Sequence, residues 1–314
     1  MCDFAMKRQL LAGAMLLAVA SGPAMAQQTV PGSFALAGAE ATVTGKMVVS
    51  ETAPLTATLT VTFADAASGE QITNFAEELT QELHVLAVDS SLTRLVHEHV
   101  KTATPEGTFS AQMQFPAAGK YHIYADAVPE GRGQQVLRFE VSIGGGTNDD
   151  SEVLERFGVD DAIAVTSGDY EVRLDASGLA ANRETALHVA VMKDGEPATD
   201  LHPYLGVAAH AVLIRAEDLS YVHAHPTEEG QAMNGHGAHG DAGTSHEAHG
   251  DHAAPAPADE QGHDHGHADM TTTVSPNMTL HMNPPGPGDY TLFLEFIGGD
   301  KVHTIAVPLE LTGT

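Results

Sequence analysis

A chain of 314 residues in which 42 carboxylates face 14 Lys and Arg carries a formal charge of −28. A surface this acidic repels nucleic acid and anionic lipid and attracts cations, so no nucleic-acid partner is expected. The single cysteine, Cys2, leaves the rest of the chain without a disulfide, a thiolate nucleophile, a Cys-based zinc site or a blue-copper centre.

In chain order, Lys7 and Arg8, the apolar run Leu10 to Ala20 and the small-x-small triplet Ala24-Met25-Ala26 mark residues 1–26 as a signal peptide, with a mature chain starting at Gln27. The apolar run is shorter than a membrane helix needs, and no later segment reaches that length. A soluble periplasmic or secreted protein is expected, without membrane insertion after signal cleavage. Cys2 would leave with the signal, so the domains must be held by core packing alone.

Helix signals are confined to a turn or two at Ala76 to Leu83 and at Glu152 to Phe157, predicting well under the roughly one-third helix of ordinary globular proteins. Leu55 to Phe63 alternates apolar and Thr, the pattern of a half-buried strand. Leu83 to Val88, Tyr121 to Ala127, Leu137 to Ile143, Leu187 to Met192, Ala209 to Arg215, Tyr290 to Ile297 and Thr304 to Leu311 also read as strands between Gly, Pro, Asp and Asn. Many short strands with frequent turns favour β-sandwiches.

An internal repeat organises these strands. Aligning His84 with His210 puts Val96-His97-Glu98-His99 on Val222-His223-Ala224-His225 without a gap. Further on, Met113 matches Met282, Gly119-Lys120-Tyr121 matches Gly288-Asp289-Tyr290, and Asp126 matches Glu295. The prediction is an all-β chain of two tandem immunoglobulin-like β-sandwich domains, residues 35–143 and 163–314, joined by an acidic Gly-rich linker at 144–162. The second copy carries an insertion, 228–273, rich in His, Gly, Ala and Asp. It is too poor in aliphatic residues to offset its ordering entropy, so a disordered His-rich loop is expected there.

Histidines carry the candidate chemistry. Residues two apart on a strand share a face, so His97 and His99 project side by side, with His84 able to join from a neighbouring strand; His210, His223 and His225 repeat the triad. Convergent imidazoles suit Zn²⁺ and Cu²⁺. Against this stands the plainer reading of surface strand histidines, which a repeated spacing makes harder to hold. Asp126 and Glu295, inside apolar strands, need a partner if they point inward, and a metal or a metal-bound imidazole would supply one. His303 follows on the next strand, with Gln134 or Gln135 at the matching place in the first copy. Met113 and Met282 are soft donors by type but more often core filler. In the insertion, His236, His239, His246, His249, His252, His263, His265 and His267 alternate with acidic residues, a composition that collects divalent ions with modest affinity. No nucleophile elbow, phosphate-binding glycine loop or His-Glu-x-x-His helix is present, so no enzyme activity is expected.

The blocks Leu83 to Val88, His97-Glu98-His99, Phe115 to Tyr121 and Tyr124 to Pro129 resemble a family of bacterial exported domains, similar to the YtkA-like and CopC-like immunoglobulin-type sandwiches. The second copy matches through His210, Leu219 to Pro226 and Pro285 to Tyr290. The first departs where Val100 stands in place of the proline after His99. The resemblance implies metal handling. The expected function is a periplasmic carrier, buffer or chaperone for copper or zinc ions, with a metal transporter or a metal-dependent exported protein as its partner. The alternative is an extracytoplasmic interaction or structural module whose His-rich loop is only a tether.

Overall fold

The computed structural model describes residues 27–36, 40–77, 81–100, 103–146, 154–204, 206–224, 226–228 and 272–312. The predicted signal peptide, His225, all eight histidines of the insertion and most of the predicted disordered loop lie outside the described residues. Among the described residues there is no helix, and none long and apolar enough to cross a membrane. Of the two stretches where helical turns were expected, residues 78–80 and 152–153 lie outside the described residues, and the described remainder holds no helix but meets two-residue strands at Phe75–Ala76 and Phe157–Gly158.

The first half contains β1 (Gln27–Gly32), β2 (Val43–Ala53), β3 (Thr56–Asp65), β4 (Phe75–Ala76), β5 (Leu83–Asp89), β6 (Leu95–Val100), β7 (Thr108–Gln114), β8 (Gly119–Pro129) and β9 (Gln135–Ile143). One sheet runs β1-β2-β3-β7; in the other, β8 pairs with β5, which pairs with β6, while β9 and β4 line the far side of β8. The second half contains β10 (Phe157–Gly158), β11 (Ile163–Ser167), β12 (Tyr170–Asp175), β13 (Thr185–Lys193), β14 (Glu196–Pro197), β15 (Leu201–His202), β16 (His210–Arg215), β17 (Tyr221–Ala224), β18 (Thr227–Glu228), β19 (Asn277–Met282), β20 (Gly288–Gly298) and β21 (Lys301–Leu311). Its sheets run β11-β12-β13-β19-β18 and β10-β21-β20-β16-β17. The strand order repeats that of the first half, and β10, β14 and β18 are additions. β1 begins before the predicted first domain and β10 lies within the predicted linker.

Strand chemistry explains the layers. Along β3, Ala57, Leu59, Val61 and Phe63 are buried while the intervening threonines are half-exposed, the period of a strand with one face on a core. Phe63, Phe75 and Phe109 meet edge to face inside the first sandwich, with ring centres 4.8–6.2 Å apart. Both halves carry a tyrosine corner, the signature of immunoglobulin-like sandwiches. Tyr121 donates to the Ala117 carbonyl at 2.8 Å, and Tyr290 donates to the Gly286 carbonyl at 2.6 Å. Two residues before each tyrosine, Gly119 and Gly288 take φ of 152° and 141°, a region that excludes side chains.

One layer joins the halves. Every residue of β5 is buried, which a strand with one solvated face does not allow. Leu83, Val85 and Ala87 face the first core, while Leu86 and Val88 join Leu92, Leu95, Tyr124 and Val136 in a separate cluster with Val212, Ile214, Tyr221 and Phe293 of the second half. The outer faces of the two matching sheets therefore pack on each other. Tyr124 stacks on Tyr221, ring centres 4.9 Å apart and planes 17° from parallel, and its hydroxyl donates to the Leu219 carbonyl. Arg138 donates to the Asp218 carbonyl alongside. Each large apolar side chain buried here contributes about 1.5–3 kcal/mol.

Candidate metal centre

On β5, His84 lies on the same face as Leu86 and Val88, so the histidine enters the interface between the sandwiches. Sheet register sets its neighbours: His84 is paired with His99 on β6 and with Asp126 on β8. The second half repeats the arrangement, with His210 of β16 paired with Glu295 of β20, and His223 on β17 beside Val212. Because like faces meet, the predicted pair of separate triads becomes one cluster. The ring centres of His84 and His97 are 5.9 Å apart, those of His84 and His223 5.3 Å, those of His97 and His210 5.0 Å, and those of His99 and His210 5.2 Å. His84, His97 and His210 are buried and His99 and His223 nearly so.

Two three-nitrogen sets emerge, His84/His97/His99 and His97/His210/His223, each with its ligand atoms within 4.8 Å of one another. Zinc–imidazole bonds of about 2.0–2.1 Å put tetrahedral ligands about 3.3 Å apart, so small ring rotations close either set around an ion. His97 belongs to both. The donor set is all imidazole, which suits zinc or copper and argues against the oxygen-seeking calcium and magnesium.

The carboxylates cross over. Glu295 of the second sandwich lies 2.9 Å from His97 Nδ1 of the first, and Asp126 of the first lies 3.5 Å from His223 Nδ1 of the second. Such reciprocity is what two copies of one surface make when they pack on each other. Asp126 also accepts from the Tyr221 hydroxyl at 3.1 Å and from Gln134 at 2.9 Å, and Glu295 accepts from the Thr304 hydroxyl at 3.0 Å.

Burial pushes the Glu295 carboxyl up to about 8, against a smaller lowering by the Thr304 hydrogen bond. Burial first, then the surrounding imidazoles of His99, His210, His84 and His223, holds His97 well below its ordinary 6.5. Burial, with His84 and His223, drives His99 to about 2. Both shifts favour the neutral forms across the 2.9 Å His97 Nδ1–Glu295 contact, although its length alone would suit an ion pair. On its other side, His97 Nε2 lies 2.9 Å from His99 Nε2. Among the described residues His99 Nδ1 and Asp126 Oδ1 are buried without a hydrogen-bond partner, an arrangement that costs about 1–3 kcal/mol per group.

Of the residues singled out in the sequence, His84, His97, His99, His210, His223, Asp126 and Glu295 come together. His303 does not. It stacks on Phe296 at 5.1 Å and lies 3.2 Å from Ser167 on the other side of its strand, and Thr304 takes the place beside Glu295. Register makes Gln135 its counterpart, and Gln135 likewise bonds away from the cluster, accepting from Thr42. Met113 and Met282 fill the two sandwich cores. Val100 extends β6 opposite Leu83, whereas β17 stops at Ala224, ahead of Pro226, whose missing N–H cannot continue a ladder. The departure from the proline pattern thus lengthens a strand and leaves the first triad intact. Sequence reasoning missed Tyr204, packed edge-on to His210 at 5.3 Å with its carbonyl 3.1 Å from His210 Nε2, and Tyr221, which joins Asp126 to the aromatic stack.

No curated protein matches this chain. Among solved structures it is similar to domains 4 and 5 of the S-layer protein SbsC, at 10% identity and a TM-score of 0.21, over 92% of this chain and 99% of that one. It is also similar to a tetra-tandem repeat in the extending region of a large adhesion protein, at 8% identity and a TM-score of 0.23, over 91% and 66% of the two chains. At such scores neither bears on the function. The family described as "Domain of unknown function (DUF8832)" matches residues 35–145 and 164–252, one segment on each sandwich. With more than half of its length matched, the chain belongs to the DUF8832 family.

Proposed function

We propose that this protein binds one transition-metal ion, copper or zinc, between its two sandwiches, and serves outside the cytoplasm as its carrier, buffer or chaperone. The observation that carries the reading is the convergence of five imidazoles from both copies of the repeat on one buried cluster, backed by two crossed carboxylates. Surface histidines have no reason to converge in this way. Protonated imidazoles cannot bind metal, and the low pKa values of His97 and His99 keep those ligands proton-free at neutral pH. Strands hold the rings in place before the ion arrives, which reduces the ordering cost of binding. One ion rather than two is favoured because both candidate sets need His97, and two dications a few ångströms apart in a buried site repel strongly.

The His-rich insertion adds capacity in this reading. Its described ends lie on the second sandwich: β18 follows β17 after Pro226, and the Thr272 carbonyl lies 2.9 Å from Nδ1 of His202 on β15. Loop ligands must order chain for each ion they hold, so they bind more weakly than the strand histidines. Calorimetric titration of the mature chain with Zn²⁺ or Cu²⁺ should show one tight event followed by several weak ones. Removing residues 228–273 should erase the weak events and spare the tight one. No uptake at micromolar metal would leave the structural-module reading in its place.

A further inference from the structure

We infer that the ion is the clasp of the contact between the two sandwiches, so that loading and release of metal are coupled to closing and parting of the domains. The inference rests on the metal-binding reading above and goes beyond it to how the site is controlled.

Three observations carry it. First, the ligand set is divided, with His84, His97 and His99 on one sandwich and His210 and His223 on the other. An ion bound by nitrogens of both halves is a cross-link between them. Second, the carboxylates are exchanged: the carboxylate nearest His97 is Glu295 of the opposite sandwich, and the one nearest His223 is Asp126 of the opposite sandwich. Of the two candidate sets, His97/His210/His223 draws ligands from both sandwiches and exists only in the docked arrangement, and it is this set that the clasp assigns to the ion. Third, the contact has two unlike parts. The apolar part, with the Tyr124–Tyr221 stack and the bonds from Tyr124 and Arg138 to the 218–219 turn, favours docking whether or not metal is bound, so the ion shifts the balance between docked and parted sandwiches. The polar part buries imidazoles and carboxyls, and it includes His99 Nδ1 and Asp126 Oδ1 without hydrogen-bond partners among the described residues. Burying such groups is unfavourable unless something binds them.

Linkage makes the coupling reciprocal: whatever the ion contributes to docking, docking contributes to the affinity for the ion. A partner that parts the sandwiches would release the metal without competing ligand by ligand, and the metal-free protein would present both histidine faces for reloading.

Cys2 is the chain's single cysteine, so with Cys2→Ser labels can be placed at will. Spin labels on Gln112→Cys of β7 and Glu196→Cys of β14, both exposed and one on each sandwich, report the interdomain distance in the full chain. With Zn²⁺ at one equivalent, double electron–electron resonance should give one narrow distance. With the metal removed by chelator, the distribution should broaden toward longer distances, and re-addition of Zn²⁺ should restore it. A ten-fold shift in the open population corresponds to about 1.4 kcal/mol of coupling. An identical narrow distribution with and without Zn²⁺, in a sample whose Zn²⁺ binding is verified by calorimetry, would overturn the clasp. Absence of Zn²⁺ binding in that calorimetry would instead overturn the metal-binding reading on which the clasp depends.

Discussion

His97 is the residue through which most of the chemistry passes. It belongs to both candidate ligand sets, and its ring joins Glu295 on one side to His99 on the other. Burial raises the Glu295 carboxyl to about 8 and lowers His97 well below its ordinary 6.5, so both shifts favour the neutral forms of the pair. An ion held by His97 Nε2 would need that nitrogen free of hydrogen, with the ring's one N–H at Nδ1, where Glu295 as a carboxylate would accept it. Binding at pH 7 should therefore release about one proton, since ligands must shed protons to take a metal. Calorimetry in buffers of differing ionisation enthalpy measures this release. Glu295→Gln should suppress it and weaken affinity by about 10–100-fold, the usual effect of losing the partner that orients a metal-bound histidine. Unchanged proton release in that variant would show that the proton comes from elsewhere. At this scale the sequence disclosed the residue types and their repeat. It did not disclose that each carboxylate serves the histidine of the other copy, because such a bond depends on how two domains dock.

At the scale of elements, the strand reading followed from alternation, and all eight strands picked from the sequence are present, among them β3, β5, β8 and β20. Other strands were not picked out: β2 interleaves Gly, Lys, Ser and Glu with its apolar residues, while β7, β12 and β19 alternate cleanly but run only six or seven residues. Leu83-His84-Val85-Leu86-Ala87-Val88 and Tyr290 to Ile297 are nearly continuous apolar runs, the mark of a strand covered on both faces. In a sandwich one of those faces is the core, so the other needs a second covering, which here is the sister sandwich. Phe293 tests that point. It belongs to the interdomain cluster, not to either sandwich core, and is fully buried. Phe293→Ala should cost about 3–5 kcal/mol, read as a fall in the denaturant midpoint, and should lower metal affinity with it. A loss of stability with metal affinity unchanged would mean that docking and the site are independent.

For the whole molecule, pH and metal act on the same contact. In the unfolded chain His97 and His99 take up protons below about 6.5, whereas in the folded protein both stay neutral far lower, so their stabilising effect is complete above that value and is lost as pH falls. Glu295 acts oppositely, holding a proton in the folded protein between 4.5 and about 8 that the unfolded chain has given up. At pH 5 the two histidines take up more protons on unfolding than the single Glu295 gives up, so there is net proton uptake on unfolding and stability falls as pH falls. Urea denaturation of the metal-free protein should give a lower midpoint at pH 5 than at pH 7, and the opposite order would refute the sign. Metal binding itself turns on whether the sandwiches share one site between them or hold one site each. Chelator-competition titration of the wild-type chain beside His97→Ala, with the fold checked by circular dichroism, addresses it most directly. A shared site predicts one tightly held Zn²⁺ in the wild type and none in His97→Ala, since both ligand sets lose a member. Two tight ions in the wild type, with one surviving in His97→Ala on the second sandwich's histidines, would contradict it.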